Sequence, residues 1–450
     1  MTEDSAAAAV GPAFAVTSLG EPGSAWARVI GQPAAVHTLR LAALAARAAA
    51  GPGPSVPASP ADFADPADPV APIGAGAPSA ASLANAMTHA WIFTGPPGAG
   101  RAAVAHSFAA ALQCSSPGEP GCGHCEDCHT SLTGTHPDVK LVATEQLTIG
   151  VDQARGLILG SAMSPTRGHY QVIVVEDAER LTEGAANVLL KAIEEPSPRT
   201  VWMLCAPSSR DLLPTILSRC RLVALRTPSP AAIAEAMQRE DGVERERGEE
   251  LARAAQGDVE RARALALDPA AAARRAETLR LPREVGDVGR AFKAAGALVE
   301  AAAAEAKGKS ELLDAKETEE LKVALGYGQG KGAGSARGVS GSAGLIKELE
   351  TKQKRRATRL QRDALDRALV DIVGFYRDVL AVQFTAGRSP DSALIHSDHA
   401  AQARALAQSS TPEDTMRRIE SVFAARRAIA ANVAPLLALE AMALTLAARP

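Results

Sequence analysis

Apolar residues along this chain change their period more than once, and the changes divide it. A short apolar run, WIFT, enters a glycine- and proline-rich turn, GPPGAG (95–100), and the segment after it, RAAVAHSFAAAL, has helical propensity. Three further runs read as strands: QVIVVEDAE, which ends in acids as a buried parallel strand does, then TVWMLCAPS and RLVAL (221–225). Helical stretches at 151–162 and 182–195 lie between them, and such alternation predicts a parallel α/β sheet. Upstream, a helix-like pattern begins at Trp26, with Val36, Leu39, Leu41 and Leu44 as its apolar face.

Beyond Pro228 the strand signal stops. Residues 229–267 read as short helices, and the later chain is helical apart from a glycine-rich break at 326–344. Within 346–383, Leu365, Leu369, Ile372, Tyr376 and Val379 recur at spacings of four and three, the stripe of a packed helix. Thr411-Pro412-Glu413-Asp414 supplies a cap hydroxyl, a proline at the first position and acids in the first turn, so it predicts a helix start. The expected plan is α/β then all-α. It has a disordered tail (1–25), an α/β domain (26–228), a small helical domain (229–285) and a helical C-terminal domain (286–450). Residues 51–80 carry eight prolines among Ala, Gly, Ser and Asp, and 51–87 read as a flexible insertion.

Composition narrows the field without identifying anything. The 450 residues carry a net charge of −3 and are 46% hydrophobic, with only 3% aromatics. That length supports two or three real cores, and the charge argues against a protein whose main work is coating nucleic acid or an anionic membrane. No run of about 18 apolar residues predicts a membrane span. The start, MTEDSAAAAV, has acids where a secretory signal carries basic residues, so a cytoplasmic chain is expected.

Four of the six cysteines cluster as Cys114-x7-Cys122-x2-Cys125-x2-Cys128. Four thiolates satisfy a tetrahedral zinc ion, and two-residue gaps let neighbouring ligands share a tight knuckle. Pro120, Gly121 and Gly123 supply the turns. His124 and His129 are alternative ligands, but four cysteines already close the shell, which points to a structural metal.

Gly95, Gly98 and Gly100 fall in the frame of the phosphate-binding loop GxxxxGK[ST], after a strand and before a helix. Glycines there let backbone N–H groups curl around phosphate oxygens. Arg101 replaces the lysine, however, and Ala102 replaces the hydroxyl that would ligate Mg²⁺. The loop reads as a nucleotide site that has lost hydrolysis, and ATP/Mg binding is left in doubt. Glu176 and Asp177 end an apolar strand where an acidic pair would hold metal and orient water, in reversed order. Ser218-Arg219-Cys220 precedes a strand, and the basic stretch Lys352 to Arg359 reads as a solvated helix face in preference to a DNA contact.

Together these pieces resemble the clamp-loader branch of the AAA+ proteins, within it the delta-prime family of bacterial DNA polymerase III subunits. The resemblance covers most of residues 26–265. It is carried by VIGQ (29–32), HAWIFTGPPGAG (89–100), the four-cysteine module directly after the loop helix, and HPDV (136–139). It continues through VDQAR (151–155), NVLLKAIEEP (187–196) and LSRC (217–220). The tau/gamma family shares fold, zinc module and SRC, but needs the loop lysine, the hydroxyl and an Asp-Glu pair. It usually adds a sensing arginine in the small helical domain, where Glu260 falls here and Arg261 lies one residue on.

The resemblance implies an AAA+ parallel-sheet domain with an inserted zinc module (114–128), a helical lid (229–285) and a helical collar (286–450). It implies a ring member without turnover of its own, beside tau/gamma and delta subunits in a hetero-pentamer of the polymerase holoenzyme. That ring loads a sliding clamp on primed DNA in a nucleoid-associated replisome, with structural zinc in this subunit. Arg219 would act in trans on a neighbour's ATP, oriented by Ser218. The contrasting expectations are an ATP-hydrolysing tau/gamma-type motor and a zinc-dependent nucleic-acid-binding module.

Overall fold

The computed structural model describes residues 23–50, 86–144, 148–284, 287–324, 342–385 and 390–447. After a short 3₁₀ turn at Ala25–Arg28, helix α1 (Pro33–Ala50) leads to strand β1 (Ala90–Thr94), the glycine loop and α2 (Arg101–Gln113). Next come α3 (Glu126–Thr133), β2 (Val139–Val142), α4 (Val151–Ser161), β3 (Gln171–Val175) and α5 (Glu183–Glu194). Strand β4 (Thr200–Ala206), the single turn α6 (Pro214–Leu217) and β5 (Arg221–Ala224) complete a five-stranded sheet of order β2-β3-β4-β1-β5. Every pairing in it is parallel.

The continuous apolar runs follow from burial on both faces. Successive residues of β1 alternate between the two faces of the sheet's core: Trp91 and Phe93 pack with Leu39 and Phe108 on one side, while Ala90 and Ile92 pack with Ile173, Leu189 and Trp202 on the other. The helix from Trp26 begins only at Pro33, and its buried face is not the one the large residues suggested. Leu39 is buried with Ala35, Ala42, Ala43 and Ala46, while Val36, Leu41 and Leu44 stay half-buried. Alanines let α1 approach α2 closely.

Strand β2 escaped the sequence pattern because it is a four-residue edge strand, Val-Lys-Leu-Val, with exposed Lys140. The expected tail and insertions fall largely outside the described residues, but their inner ends do not. Ala25 is fully buried, Ala86 accepts a hydrogen bond from Arg221 Nη1 at 2.8 Å, and Ser342 to Gly344 open a helix.

Beyond the sheet, α7 (Pro230–Asp241), α8 (Arg245–Ala254) and α9 (Val259–Leu267) enclose their own core of Ile233, Met237, Leu251 and Leu265, joined by Ile30. Helix α10 (Pro269–Thr278) leads to the long pair α11 (Val288–Ala324) and α12 (Ser342–Phe384). Finally α13 (Ala400–Ser409), α14 (Pro412–Ala430) and α15 (Pro435–Ala447) close a third core. The stripe Leu365, Leu369, Ile372, Tyr376 and Val379 is buried in it, and the Thr411 hydroxyl caps α14 by accepting from the Asp414 N–H at 3.2 Å.

Helix α12 holds the three cores together through charge. Its Asp371, 4% exposed at the side chain, pairs with Arg261 of α9. Arg359 reaches Asp177 beyond β3 at 2.9 Å, and Arg356 pairs with Asp314 at 2.6 Å and Glu317 at 2.8 Å on α11. Arg356 is only 4% exposed and Arg359 is half-buried, so these two arginines leave the solvated face to pair, while Lys354 and Arg355 stay exposed on it.

His396 lies behind Asp371. Its Nδ1 accepts from Arg275 Nη2 at 2.8 Å and its Nε2 donates to the Asp371 carbonyl at 3.1 Å, which fixes the neutral tautomer. Burial, reinforced by Arg275, lowers its pKa to about 3. The unfolded chain takes up that proton near pH 6.5, so native stability is full above that value and is lost as pH falls toward 3, by about 1.4 kcal/mol per unit. Thermal melts should therefore shift downward between pH 7 and pH 5, and His396→Gln should flatten that dependence; an unchanged slope in the variant would refute the assignment.

Candidate functional site

Cys114 ends α2, Cys122 sits in the following loop, Cys125 caps α3 and Cys128 lies in its first turn. Their four sulfur atoms lie within 4.8 Å of one another. Left-handed Gly121 (φ 89°) and Gly123 (φ 81°) make the knuckle, where a side chain would meet the Trp26 indole or the Gly23 carbonyl. The N–H groups of Cys125 and Cys128 donate to the sulfurs of Cys122 and Cys125 at 3.4 Å. The hydrogen bond shared with Cys128 pulls the Cys114 thiol down to about 4, while that bond and burial push Cys128 up.

This donor set fits zinc: four sulfurs converge, two accept backbone N–H groups, and no fifth position is needed for catalysis. When bound, zinc would supply cohesion only. His124 and His129 are not in the cluster. The module is lashed to the start of the described chain: Trp26 Nε1 donates to the Pro120 carbonyl at 3.0 Å and Ala25 N–H to the Gly121 carbonyl at 3.0 Å. HPDV acts structurally. The Asp138 carboxylate accepts the N–H groups of Thr166, Arg167 and Gly168 at 2.7, 2.8 and 2.6 Å, pinning the loop before β3.

The glycine loop turns through two left-handed glycines, with Arg101 and Ala102 at the start of the helix that follows. Gly98 (φ 82°) and Gly100 (φ 78°) are left-handed, and a Cβ at Gly98 would lie 2.5 Å from the Asp258 Cα. Thus the N-terminus of α9 sits against the loop. Gln32 of VIGQ donates to the Ala99 carbonyl at 3.3 Å and accepts from Arg226 N–H at 3.2 Å, tying the loop to the segment after β5. A cavity of about 640 Å³ remains, lined by Gly98 to Ala103, His106, Glu176, Asp177 and Asp258 among others.

Three charged groups at the cavity, Arg101, Glu176 and Asp177, are already engaged. Arg101 folds back to donate to the Gly95 carbonyl. His106 Nε2 meets Glu176 at 2.8 Å, and Arg359 meets Asp177. Neither candidate sensing residue faces the loop with a free cation: Glu260 is largely exposed, and Arg261 pairs with Asp371. His106 and Arg359 were not singled out beforehand as partners of these acids; their signal is only their type, because the contacts span 70 and 182 residues.

Arg219 lies 38% exposed on the turn between α6 and β5, remote in role from that cavity. Its Nη1 donates to the Thr215 carbonyl at 2.8 Å and to Ser218 Oγ at 3.0 Å, and its Nε pairs with Glu194. Cys220 behind it is half-buried, its thiol pushed up to about 12 by burial.

A parallel sheet of this order carrying a glycine loop at β1, a four-cysteine module behind the loop helix, and helical bodies after the sheet fit one class: an AAA+ α/β domain with a zinc module and helical domains. The comparisons sharpen this over part of the chain. Residues 79–229 match the family profile described as DNA polymerase III, delta subunit. A subunit delta' from Pseudomonas aeruginosa is 41% identical over 150 residues, 33% of this chain and 46% of that protein. A subunit gamma/tau from Mycobacterium tuberculosis is 31% identical over 157 residues, 34% of this chain and 27% of that protein. A gamma subunit-related protein from Thermotoga maritima aligns over 79% of this chain and 93% of its own, at 16% identity and a TM-score of 0.37. The match spans about half the length of the curated delta-prime relatives. Over that α/β segment the likeness to the delta-prime family is borne out. Among the described residues no helix is long and apolar enough to cross a membrane.

The purified chain should contain one zinc per molecule by elemental analysis. Chelation, or Cys128→Ser, should lower the melting temperature and loosen residues near Trp26, read by its fluorescence. A chain without zinc that melts unchanged would refute the metal assignment.

Proposed function

We propose that this chain is a delta-prime-like clamp-loader subunit: a ring member that hydrolyses no ATP itself and lends Arg219 to a neighbour's ATP site. The observation that carries the reading is the contrast between its two arginine environments. Arg101, in the loop, is turned onto its own backbone, while Arg219, on the surface, is held with an exposed guanidinium. A guanidinium delivered in trans neutralises charge developing on a γ-phosphate, with effects of roughly 10³–10⁵ at the site it serves. Ser218 helps to hold it.

The absent lysine and hydroxyl, together with Glu176 and Asp177 bound to His106 and Arg359, support a site without hydrolysis. The partners on this reading are tau/gamma and delta subunits in a hetero-pentameric ring. The sliding clamp and primed DNA are engaged through the assembly, in the cytoplasmic replisome. The three cores correspond to the AAA+ domain, lid and collar, the last mediating ring contacts.

Reconstitution with tau/gamma and delta subunits, clamp and primed DNA tests it. Arg219→Ala should lower ring ATPase by about tenfold or more while the free subunit melts unchanged; unchanged turnover would overturn the reading. Conversely, Arg101→Lys combined with Ala102→Ser should leave the isolated chain without measurable ATPase, because both acids stay engaged. Hydrolysis by the isolated wild-type chain would instead favour the tau/gamma-type motor.

A further inference from the structure

The LLKAIEEP segment places two acids, Glu194 and Glu195, at the end of α5. Glu194, the last residue of α5, is 40% exposed and pairs with Arg219 Nε across the turn that carries it. Thr215 and Ser218 hold Nη1, and Nη2 makes no hydrogen bond among the described residues. The guanidinium is therefore held at two of its three nitrogens, Nη1 by hydrogen bonds and Nε by an ion pair, through three groups from two elements, which leaves Nη2.

We infer that Glu194 is a positioning residue for Arg219. It fixes the guanidinium's plane from the Nε side, so that the Nη2 end meets an anionic phosphate oxygen of the neighbouring subunit already oriented. This rests on the trans-arginine reading. An exposed ion pair contributes little to folding, so its value lies in orientation. Arginine's planar fork suits the arrangement, because two of its nitrogens can be held while the third stays available, whereas a lysine offers a single rotating point. Glu194 ends α5, whose Leu189 and Ile193 are buried under the sheet, so the carboxylate is anchored to a rigid element.

A double-mutant cycle in the reconstituted ring tests this, with ATP and primed DNA as the probes. Glu194→Ala should lower kcat by about threefold with KM for ATP little changed, and should leave the melting temperature of the free subunit in place. Glu194→Gln, which keeps an acceptor oxygen for Nε, should recover part of the loss. The double variant Glu194→Ala with Arg219→Ala should be no slower than Arg219→Ala alone, because the two act through one group. Additive losses, or faster turnover in Glu194→Ala, would overturn the inference while leaving the trans-arginine reading intact. No effect of Arg219→Ala would remove that reading and this inference together.

Discussion

A carboxylate taken out of water must be paired or neutralised, and that requirement fixes the arrangement of this molecule at Asp371. Arg261 answers it from α9, with Gln256 donating to the Val370 carbonyl at 3.2 Å beside it. Once α9 is anchored to α12, its N-terminus rests on the glycine loop, where Asp258 leaves no room for a side chain at position 98. The same long helix carries Arg359 to Asp177. One buried charge thus orients the small helical core, and that core closes over the loop. Removing a partner from so buried a pair is costly because the remaining charge has no water to turn to.

The composition of the glycine loop makes sense within that frame. Lysine and hydroxyl are absent by sequence, yet the structure adds a second layer in which the acids and basic groups satisfy one another. Glu176 and Asp177, each bonded to a basic group, are thereby not free to hold a metal ion. Arg219 differs because it lies at the surface and its Nη2 has no hydrogen bond among the described residues.

Much of the sheet was legible because burial on both faces writes unbroken apolar runs, as in β1, β3 and β4. The cysteine spacing and the glycine loop were equally plain, since local geometry demands those residues at those intervals. Strand β2 was not, being short, polar and at an edge. The face of α1 was misread because its contacts use alanines, which carry almost no hydrophobic signal. Arg356 and Arg359 looked like surface charge because the acids that draw them inward, Glu317 and Asp177, lie 39 and 182 residues away. Arg219 was legible only through a motif, and nothing local in the chain foretold that Glu194 would hold it.

The docking of Gly23 to Val29 against the four-cysteine knuckle has a thermodynamic corollary. Trp26 and Ala25 bond to the very turns that set the sulfur positions, so the first described residues and the metal ligands share one equilibrium. Linkage is reciprocal: whatever metal occupancy contributes to holding that segment, the seated segment returns as affinity for the metal. A change at the thiols is thereby coupled to the indole of Trp26, some 90 residues earlier in the chain.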